Sequence, residues 1–455
     1  MVDDAHKPTA FAAVILAAGK GTRMKSDLHK VLHPIGGRPM LDHLLDSFAD
    51  LSPARLVVVA GDRREQLEEA LADRDIDVVL QEPQLGTGHA ALQAKEALAG
   101  FEGYVLVCFG DCPMVRGETM RRLTDALDDV VKVAVLGFRP ADPLAYGRII
   151  ADGEGRVSKM VEYKDASEEE RACDLCNSGV IVAHSDDLWR LLDRVGNDNA
   201  QGEYYLPDVA TIAIDDGDTV KVVETEPQEV AGINSRAELA AAEAQWQEYK
   251  REEAMENGAT LRAPETVFFS YDTQIGRDVT IEPNVVFGPG VTIADGATIR
   301  AFSHLEGARV GEGCEVGPYA RLRPGAVMEA RSKVGNFVEM KKATLGEGAK
   351  ANHLTYLGDA TVGAGANIGA GTITCNYDGY FKYRTVIGER AFIGSNSALV
   401  APVTIGRDAI VAAGSSVTRD VADGELRIER AEQLVKPGWA DRFHQTMKKK
   451  KADKS

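Results

Sequence analysis

Long apolar runs are absent from this chain of 455 residues. No segment reaches the roughly 18 consecutive apolar residues that a membrane-spanning helix needs, so we expect no membrane span. Residues 1–7, Met-Val-Asp-Asp-Ala-His-Lys, are polar and of mixed charge, and no secretory apolar region with a cleavage site follows them. The short apolar run Phe11–Ala18 is interpreted as a buried strand. We therefore expect a cytoplasmic protein.

Cysteine is scarce. Six cysteines in a chain of this length are too few for a disulfide scaffold. Cys173 and Cys176 form the one CxxC pattern, but no second CxxC and no histidine pair stands at zinc-finger spacing. The sequence therefore predicts reduced thiols and no structural zinc.

Positive charge is also in deficit, because 52 Lys and Arg residues face 70 Asp and Glu residues and give a net charge of −18. This balance argues against a nucleic-acid partner. It does not exclude small anionic substrates, which local donors can hold at short range. The basic residues Lys448–Lys451 near the end of the chain are predicted to be a solvated, frayed terminus, residues 438–455.

A chain this long exceeds one hydrophobic core, and its first half alternates apolar runs with helical spacing. Strands are predicted at Phe11–Leu16, Arg55–Val59, Asp77–Leu80 and Tyr104–Phe109, and helices at Met40–Leu51, Arg63–Leu71 and Thr87–Leu98. The alternation predicts an α/β, Rossmann-like domain over residues 1–236 with a mostly parallel sheet. Such sheets bind ligands at the carboxyl ends of their strands.

The pattern changes after one exposed helix predicted at Glu238–Glu256, within a linker of residues 237–257. Apolar residues then recur every six positions, a period that fits neither a helix nor a half-buried strand. The series comprises Ile275, Ile281, Phe287, Ile293, Ile299 and Leu305; Val310, Val316, Leu322, Met328, Val334 and Met340; Leu345, Ala351, Leu357, Val362 and Ile368; and Ile387, Ile393, Leu399, Ile405, Val411 and Val417. Three hexapeptides make one coil, so Ile275–Val417 should form about eight coils. Residues 258–437 are predicted to be one all-β domain, a left-handed parallel β-helix.

One large insertion interrupts this repeat. After Ile368 the next inward position is Thr374, and the series resumes only at Ile387, so Cys375–Arg384 must loop out of the solenoid. A polar and aromatic loop on a rigid scaffold is a candidate site element, although a purely decorative surface loop explains the insertion equally well.

Residue types suited to phosphate chemistry follow two of the predicted strands. Leu16-Ala17-Ala18-Gly19-Lys20-Gly21-Thr22-Arg23-Met24 matches neither a Walker A loop nor GxGxxG, yet its small residues allow phosphates to approach the backbone. Arg23 and Lys30 add cations for a triphosphate. Asp111, at the end of the fourth strand, is a candidate Mg²⁺ ligand, although it could equally be a turn or cap residue.

Here the sequence resembles a known family. The Leu16–Met24 run, the Gln84–Ala90 loop and the Gly110-Asp111-Cys112-Pro113 turn are similar to sugar-1-phosphate nucleotidyltransferases. With Asn199–Tyr205 and the hexapeptide half, the resemblance narrows to the bifunctional N-acetylglucosamine-1-phosphate uridyltransferase/glucosamine-1-phosphate acetyltransferase family of bacterial cell-wall precursor synthesis. It extends from about Ala13 to Lys436.

For the first domain, the resemblance implies uridylyl transfer from UTP, with Arg23 and Lys30 as catalytic cations and Asp111 and Asn234 as Mg²⁺ ligands. It further implies that Gly147, Glu162 and Asn177 bind the sugar. The nucleotide-binding residues that it implies are Leu16, Ala17, Ala18, Gly19, Lys30, Gln81, Gly86, Thr87, Phe109, Gly110 and Asp111. The chain departs from the family pattern at His29, Phe109 and Pro207, which affects loop stiffness and secondary contacts.

For the second domain, the resemblance implies acetyl transfer from acetyl-CoA without a metal, with His353 as the general base. Arg323, Lys341, Tyr356 and Asn367 are then implied to bind glucosamine 1-phosphate. The implied acetyl-CoA residues are Ala370, Asn376, Tyr377, Ser395, Ala413 and Arg430. The resemblance also implies a homotrimer.

Two other hypotheses remain open on the sequence. One is a nucleotidyltransferase whose β-helix only assembles oligomers or binds an effector. The other is a catalytically silent sensor or scaffold for sugar nucleotides.

Overall fold

The computed structural model describes residues 10–143 and 146–453. The polar N-terminal residues 1–7, for which the sequence predicts no leader, lie outside the described residues. The chain divides into two compact units, Met1–Gln247 and Glu248–Ser455, and the division falls within one continuous helix. No helix among the described residues is both long and apolar enough to cross a membrane.

The first unit is built on a nine-stranded sheet. Its chain also includes a short hairpin, β2 and β3. The strands are β1 Phe11–Ala17, β2 Pro34–Ile35, β3 Arg38–Pro39, β4 Arg55–Ala60, β5 Asp77–Leu80, β6 Tyr104–Phe109, β7 Val131–Phe138, β8 Arg148–Ala151, β9 Val157–Val161, β10 Cys176–His184 and β11 Thr219–Thr225. The helices are α1 Met40–Ser47, α2 Arg64–Leu71, α3 Thr87–Leu92, α4 Gly117–Asp125, α5 Glu168–Arg171, α6 Ser185–Leu192, α7 Asp208–Asp215 and α8 Arg236–Glu256.

The sheet order is β11-β7-β10-β6-β1-β4-β5, and β8 and β9 extend it beside β10. β4, β1 and β6 run parallel, as the sequence predicts, whereas β10 is antiparallel to both β6 and β7. Alternate residues of β1 enter two separate cores, with Val14 on one face and Ile15 on the other. Burial on both faces explains why β1 appears in the sequence as a continuous apolar run.

The ends of the helices differ from the predicted ones. The segment predicted as one helix, Thr87–Leu98, is an α-helix only to Leu92, because the amides of Gln93, Ala94 and Lys95 bond to carbonyls three residues back. Its apolar face nevertheless continues, since Ala94 and Leu98 are buried. The helix predicted at Met40–Leu51 likewise ends at Ser47 and is followed by a 3-10 turn, Ala49–Leu51.

The second unit is a three-sided parallel β-helix, with one sheet of ten strands and two of eight. The first side contains Thr260–Leu261, Thr280–Ile281, Thr298–Ile299, Glu315–Val316, Lys333–Asn336, Lys350–His353, Asn367–Ile368, Phe392–Ile393, Ile410–Val411 and Leu426–Arg427. The second contains Gln274–Ile275, Thr292–Ile293, Ala308–Val310, Ala326–Met328, Thr344–Leu345, Ala360–Val362, Thr385–Ile387 and Val403–Ile405. The third contains Val286–Phe287, His304–Leu305, Arg321–Leu322, Glu339–Lys341, Tyr356–Gly358, Ile373–Cys375, Ala398–Val400 and Ser416–Val417.

The six-residue series forms the interior of this β-helix. Every residue of the predicted series is buried except Ile275, which is partly exposed, and Thr374 is buried at the position where the insertion begins. Each inward residue stacks on its counterpart one coil away, as Leu322 does on Met340. The periodicity of the sequence therefore predicted the core residues of this unit correctly.

The basic C-terminal residues differ from expectation. Lys448–Lys451 belong to a helix, α9 Trp439–Ala452, rather than to a frayed end. No residue of this helix is buried, so the expectation that the segment is solvated holds.

Candidate functional site

A cleft of about 490 Å³ opens at the carboxyl ends of β1 and β6. It brings together most of the nucleotide-binding residues that the sequence predicts: Leu16, Ala17, Ala18, Gly19, Lys30, Gln81, Gly86, Thr87, Phe109 and Asp111. Gly110 adjoins them, because its amide donates to the Leu16 carbonyl at 3.0 Å. The location follows the rule that ligands bind where parallel strands end.

The cleft is also lined by Glu203, to which the sequence analysis assigned no role. Segment 199–206 reaches the cleft because it packs on the first residues of α3. The Gly88 amide donates to the Tyr204 carbonyl at 2.8 Å, and the Leu206 amide donates to Thr87 Oγ1 at 3.0 Å. The motif Asn199–Tyr205 was the only sign in the sequence that this segment belongs to the site. Its contact with the cleft joins residues far apart in the chain, and residue spacing does not reveal such a contact.

Gly86 has a steric reason to be glycine. Its φ is +112°, and a Cβ there would lie 2.6 Å from the Tyr204 carbonyl oxygen. Gln81 fixes the same loop by donating from Nε2 to the Gly86 carbonyl at 2.9 Å. Gln84 donates from Nε2 to the Ala18 carbonyl at 2.6 Å and so joins this loop to the glycine-rich turn. The wall of the cleft is therefore held in place before any ligand binds.

Lys30, Asp111 and Asn234 meet at one point of the first unit. The Lys30 ammonium donates to the Asp111 carboxylate and lies 3.0 Å from Asn234 Oδ1. The side chains of Lys30 and Asp111 are only 11% and 16% exposed. A carboxylate oxygen and an amide oxygen therefore share one cation in a nearly buried setting. These are the hard oxygen donors that Mg²⁺ accepts.

The three predicted sugar-binding residues are also neighbours. The backbone N–H of Asn177 donates to the Gly147 carbonyl at 2.9 Å, and a Cβ on Gly147 would lie 3.2 Å from Glu162 Oε1. Burial, together with the charges of Asp208 and Asp165, raises the pKa of Glu162 above its ordinary value. Asn177 Oδ1 accepts from the Gly179 amide at 2.9 Å, which leaves its Nδ2 group to donate elsewhere.

Arg23 is the predicted residue that stands apart. It is exposed on the 3-10 turn Thr22–Met24 and does not line the cleft. His29, one of the departures from the family pattern, is buried beside Lys30, and burial lowers its pKa to about 4. It is therefore neutral at neutral pH and adds no competing charge next to Lys30.

In the second unit, His353 is exposed at the end of the strand Lys350–His353. Its Nδ1 lies 2.7 Å from Asn336 Oδ1, and the two residues are paired in register on adjacent coils. An amide oxygen accepts hydrogen bonds, so this contact favours the neutral tautomer in which Nδ1 carries the hydrogen and Nε2 carries the lone pair. The sequence analysis gave Asn336 no role. Its separation of one coil from His353 was the signal that could have found it.

His353 begins a column of residues on successive coils. The Gly371 amide, next to Ala370, donates to the His353 carbonyl at 3.3 Å. On later coils, the carbonyls of three predicted acetyl-CoA residues accept hydrogen bonds: Ala370 O from Asn396 N at 2.7 Å, Ser395 O from Gly414 N at 2.8 Å, and Ala413 O from Arg430 Nη1 at 2.7 Å. Four of the six predicted acetyl-CoA residues therefore line one corner of the β-helix.

The remaining two, Asn376 and Tyr377, lie at the start of the inserted loop. Asn376 is buried and donates from Nδ2 to Asp359 Oδ2 at 2.6 Å, while Tyr377 is exposed. Within the loop, Asp378 accepts the amides of Tyr380 and Phe381 at 2.8 and 2.7 Å. The insertion is thus an internally bonded turn that begins at residues predicted to bind acetyl-CoA.

Cations gather on the third side of the β-helix. Arg323 forms an ion pair with Glu339 at 2.8 Å. The positive charges of Arg323 and Lys382 lower the pKa of Lys341, so these three cations lie close together. Tyr356 lies on the same side one coil further along, whereas Asn367 lies on the first side, one coil after Lys350. Lys382, in the inserted loop, was not predicted, because the direction in which the loop folds is not encoded in the repeat.

Comparisons with known proteins agree with this architecture. A family profile described as MobA-like NTP transferase domain matches residues 13–167. Two hexapeptide profiles, described as bacterial transferase hexapeptide (six repeats) and hexapeptide repeat of succinyl-transferase, match residues 272–307 and 384–419.

Curated relatives match over nearly the whole chain. Bifunctional protein GlmU of Sphingopyxis alaskensis is 70% identical over 444 residues, which cover 97% of this chain and 98% of the relative. The protein of the same name from Novosphingobium aromaticivorans is 70% identical over 447 residues, covering 98% and 99%. That from Zymomonas mobilis is 58% identical over 450 residues, covering 98% and 100%.

The fold and the two sites define a bifunctional transferase, in which a nucleotidyltransferase domain precedes a left-handed β-helix of hexapeptide repeats. The chain belongs to the family of the bifunctional GlmU proteins, and it is a uridyltransferase and an acetyltransferase.

Proposed function

We propose that the chain makes UDP-N-acetylglucosamine in two reactions, one in each unit. Acetyl transfer from acetyl-CoA to glucosamine 1-phosphate precedes uridylyl transfer from UTP to N-acetylglucosamine 1-phosphate. The observation that supports this best is the convergence of Lys30, Asp111 and Asn234 beside a cleft of nucleotide size. Residues 1–236 then carry uridylyl transfer and residues 258–437 acetyl transfer, joined by a linker at 237–257 and followed by a tail at 438–455.

Asp111 and Asn234 are proposed to hold Mg²⁺. Their oxygens already share one cation, the Lys30 ammonium, so this point of the cleft favours positive charge. Mg²⁺ commonly takes one or two protein oxygens and completes its shell with water and phosphate, which suits this small donor set. When bound, it neutralises charge on the phosphate oxygens.

In the uridylyl transfer, a phosphate oxygen of the sugar phosphate attacks the α-phosphorus of UTP. The bond from that phosphorus to the bridging oxygen breaks, and pyrophosphate leaves with the electron pair. Lys30 donates to the phosphates from the cleft, and Arg23 reaches them from its exposed turn. Gly147, Glu162 and Asn177 orient the sugar.

In the acetyl transfer, Nε2 of His353 removes a proton from the amine of glucosamine 1-phosphate. The amine nitrogen attacks the thioester carbonyl, the carbon–sulfur bond breaks, and the CoA thiolate leaves. Arg323 and Lys341 neutralise the sugar phosphate, and Tyr356 and Asn367 are proposed to bind the same substrate. The column that includes Ala370, Ser395, Ala413 and Arg430 runs upward from His353 and is proposed to hold acetyl-CoA together with Asn376 and Tyr377.

A cytoplasmic homotrimer is the proposed assembly. Phe302, Tyr319 and Phe337 stack on successive coils, with ring centroids 4.9 and 5.2 Å apart, and all three are exposed together with Leu354. Burying this apolar column against a second copy removes it from water and brings another subunit close to His353. Light scattering should give three times the 48.9 kDa chain mass.

Two assays on the full chain test the proposal. Pyrophosphate should appear with Mg²⁺, UTP and N-acetylglucosamine 1-phosphate, and free CoA should appear with acetyl-CoA and glucosamine 1-phosphate. Pyrophosphate without CoA would favour the alternative in which the β-helix only assembles oligomers. Neither product would favour a catalytically silent sensor.

A further inference from the structure

Arg236 touches both chain segments that carry the predicted catalytic cations. It is the first residue of α8, two positions after Asn234. Its Nε donates to the carbonyl of Met24 at 3.2 Å, next to Arg23. Its Nη1 lies 3.3 Å from Nδ1 of His33, which directly follows the 3-10 turn Lys30–Leu32. One guanidinium therefore connects the segments of Arg23, Lys30 and Asn234.

The segment from Gly21 to His33 has little regular structure of its own. It consists of two 3-10 turns, closed by bonds such as Met24 N to Gly21 O at 3.0 Å and Leu32 N to His29 O at 3.0 Å. Its middle is tethered by Arg63, whose Nη1 donates to the Ser26 carbonyl at 2.6 Å. On either side of that tether, at Met24 and His33, the segment is joined to α8 by Arg236.

We propose that Arg236 is a positioning residue for nucleotidyl transfer, and this inference rests on the proposed function of the first unit. It holds residues 21–33 against the start of α8 and so sets the spacing among Arg23, Lys30 and Asn234. Transfer of a phosphoryl-type group depends mainly on positioning and charge neutralisation. A displacement of the cations therefore slows the reaction even where the fold is intact.

The guanidinium suits this role better than an ammonium would. Its donors form a rigid planar fork that can reach two acceptors in different directions, here a carbonyl oxygen and an imidazole nitrogen. His33 is buried, and burial followed by the charge of Arg236 lowers its pKa, so that it remains a neutral acceptor. Arg236 itself is solvent-exposed, so its two bonds should contribute little to the global stability of the chain.

The test compares the full-length Arg236→Ala and Arg236→Lys variants with wild type. Arg122→Ala is the matched control, because Arg122 is also an exposed arginine that donates to a backbone carbonyl, Glu224 O at 2.9 Å, away from the cleft. Hydrogen exchange is measured on the ligand-free proteins. Uridylyl and acetyl transfer are then assayed separately. Exchange in the sheet strands of the first unit reports on folding of that unit, and acetyl transfer reports on the β-helix.

In Arg236→Ala we expect the amides of residues 21–33 to exchange several-fold faster, with other segments unchanged. The kcat of uridylyl transfer should fall about 10- to 100-fold, because small misplacements of catalytic groups lower reaction rates by factors of this size. The KM for the sugar phosphate and the rate of acetyl transfer should stay within about twofold, since neither Gly147, Glu162 and Asn177 nor the β-helix is altered. Arg236→Lys should recover part of the loss, and Arg122→Ala should match wild type.

Unchanged exchange in residues 21–33 would overturn the inference, and so would an unchanged kcat. Equal losses in both activities would also overturn it, because they would indicate general destabilisation. If wild type releases no pyrophosphate from UTP, the proposed function fails, whereas the exchange measurement still decides whether Arg236 holds the segment.

Discussion

The two units assemble their sites from very different distances along the chain. In the first, Lys30 meets Asp111 across 81 residues and Asn234 across 204. In the second, His353 meets its partner Asn336 across 17 residues, which is one coil of the β-helix. The first site depends on the whole sheet being in place, whereas the second depends on neighbouring coils.

This difference determines which substitutions can disrupt each site. In a solenoid, each repeat contacts mainly its neighbours, so a local substitution stays local. In the first unit, Asp111 follows β6 and Asn234 precedes α8, and the two segments meet where the Ile233 amide donates to the Asp111 carbonyl at 3.0 Å. Substitutions that separate the two activities therefore test this comparison directly.

The largest effect is expected for His353→Ala. Loss of a general base typically costs 10²- to 10⁴-fold, and we expect about a 10³-fold fall in CoA release. Pyrophosphate release from UTP should be unchanged, because the first unit is not altered. His304→Ala is the matched control, an exposed histidine elsewhere on the β-helix, and should leave both activities intact. Loss of both activities in His353→Ala would mean that the units are not independent.

The reverse separation is expected for Lys30→Ala, which should lower kcat of uridylyl transfer by about 10²-fold, the cost of removing one charge-stabilising group. The acetyl transfer rate should not change. Lys95→Ala removes an exposed lysine paired with Asp193 in the same unit and serves as the control. A similar loss in the control would attribute the effect to net charge rather than to the position of Lys30.

The sequence predicted the β-helix more completely than the first unit, and the reason is physical. A six-residue period names each inward residue directly, because stacking depends only on spacing, as with Leu322 and Met340. In the first unit, apolar runs in the sequence predicted the strands β1, β4, β5 and β6. The order of the strands in the sheet depends on long-range packing, which the runs do not encode. The antiparallel β10 and the packing of Glu203 against the cleft were therefore not predicted.

Even in the β-helix, the repeat did not predict how loops and side chains complete the site. Asn336 pairs with His353 through the coil, yet the one-residue slips in the series make this separation 17 rather than 18. Lys382 joins Arg323 and Lys341 only because the inserted loop folds toward them. Spacing determines which backbones stack, whereas the direction of a loop depends on its own hydrogen bonds.

A smaller effect is expected for Asn336→Ala. The substitution removes the partner that fixes the Nδ1 hydrogen of His353, a bond worth about 1 kcal/mol, so acetyl transfer should slow about 5- to 10-fold. The loss should appear in kcat, with little change in the KM for acetyl-CoA, because the column above His353 is intact. Uridylyl transfer in the same preparation is the control. An unchanged kcat would show that His353 does not need Asn336, on the preceding coil, to hold it in position.

The smallest effect concerns acid response, in which Asp208 of the first unit differs in sign from two carboxylates of the β-helix. Burial, and then the charge of Asp165, raises the pKa of Asp208 from 3.8 to about 6, so the folded first unit binds this proton more tightly than the unfolded chain. The contribution of Asp208 to the stability of that unit therefore falls as the pH rises from about 4 to about 6, and the cost persists above that range. On the β-helix, Arg390 and Arg277 lower the pKa values of Asp408 and Asp295, which stabilise that unit above their ordinary pKa and lose this effect on acidification.

Asp208→Asn should remove the cost in the first unit. Because Asp208 is partly exposed, solvent screening reduces the gain to about 1 kcal/mol at pH 8, and the gain should vanish below about pH 4, where the carboxyl is protonated in both states. Denaturation followed by tryptophan fluorescence can measure this, since Trp189 and Trp246 lie in the first unit and Trp439 lies on the exposed α9. Asp73→Asn, at an exposed position, should give no gain at either pH. A gain of equal size at pH 4 and pH 8 would attribute the effect to packing of the amide, and the contrast in acid response between the two units would then not rest on Asp208.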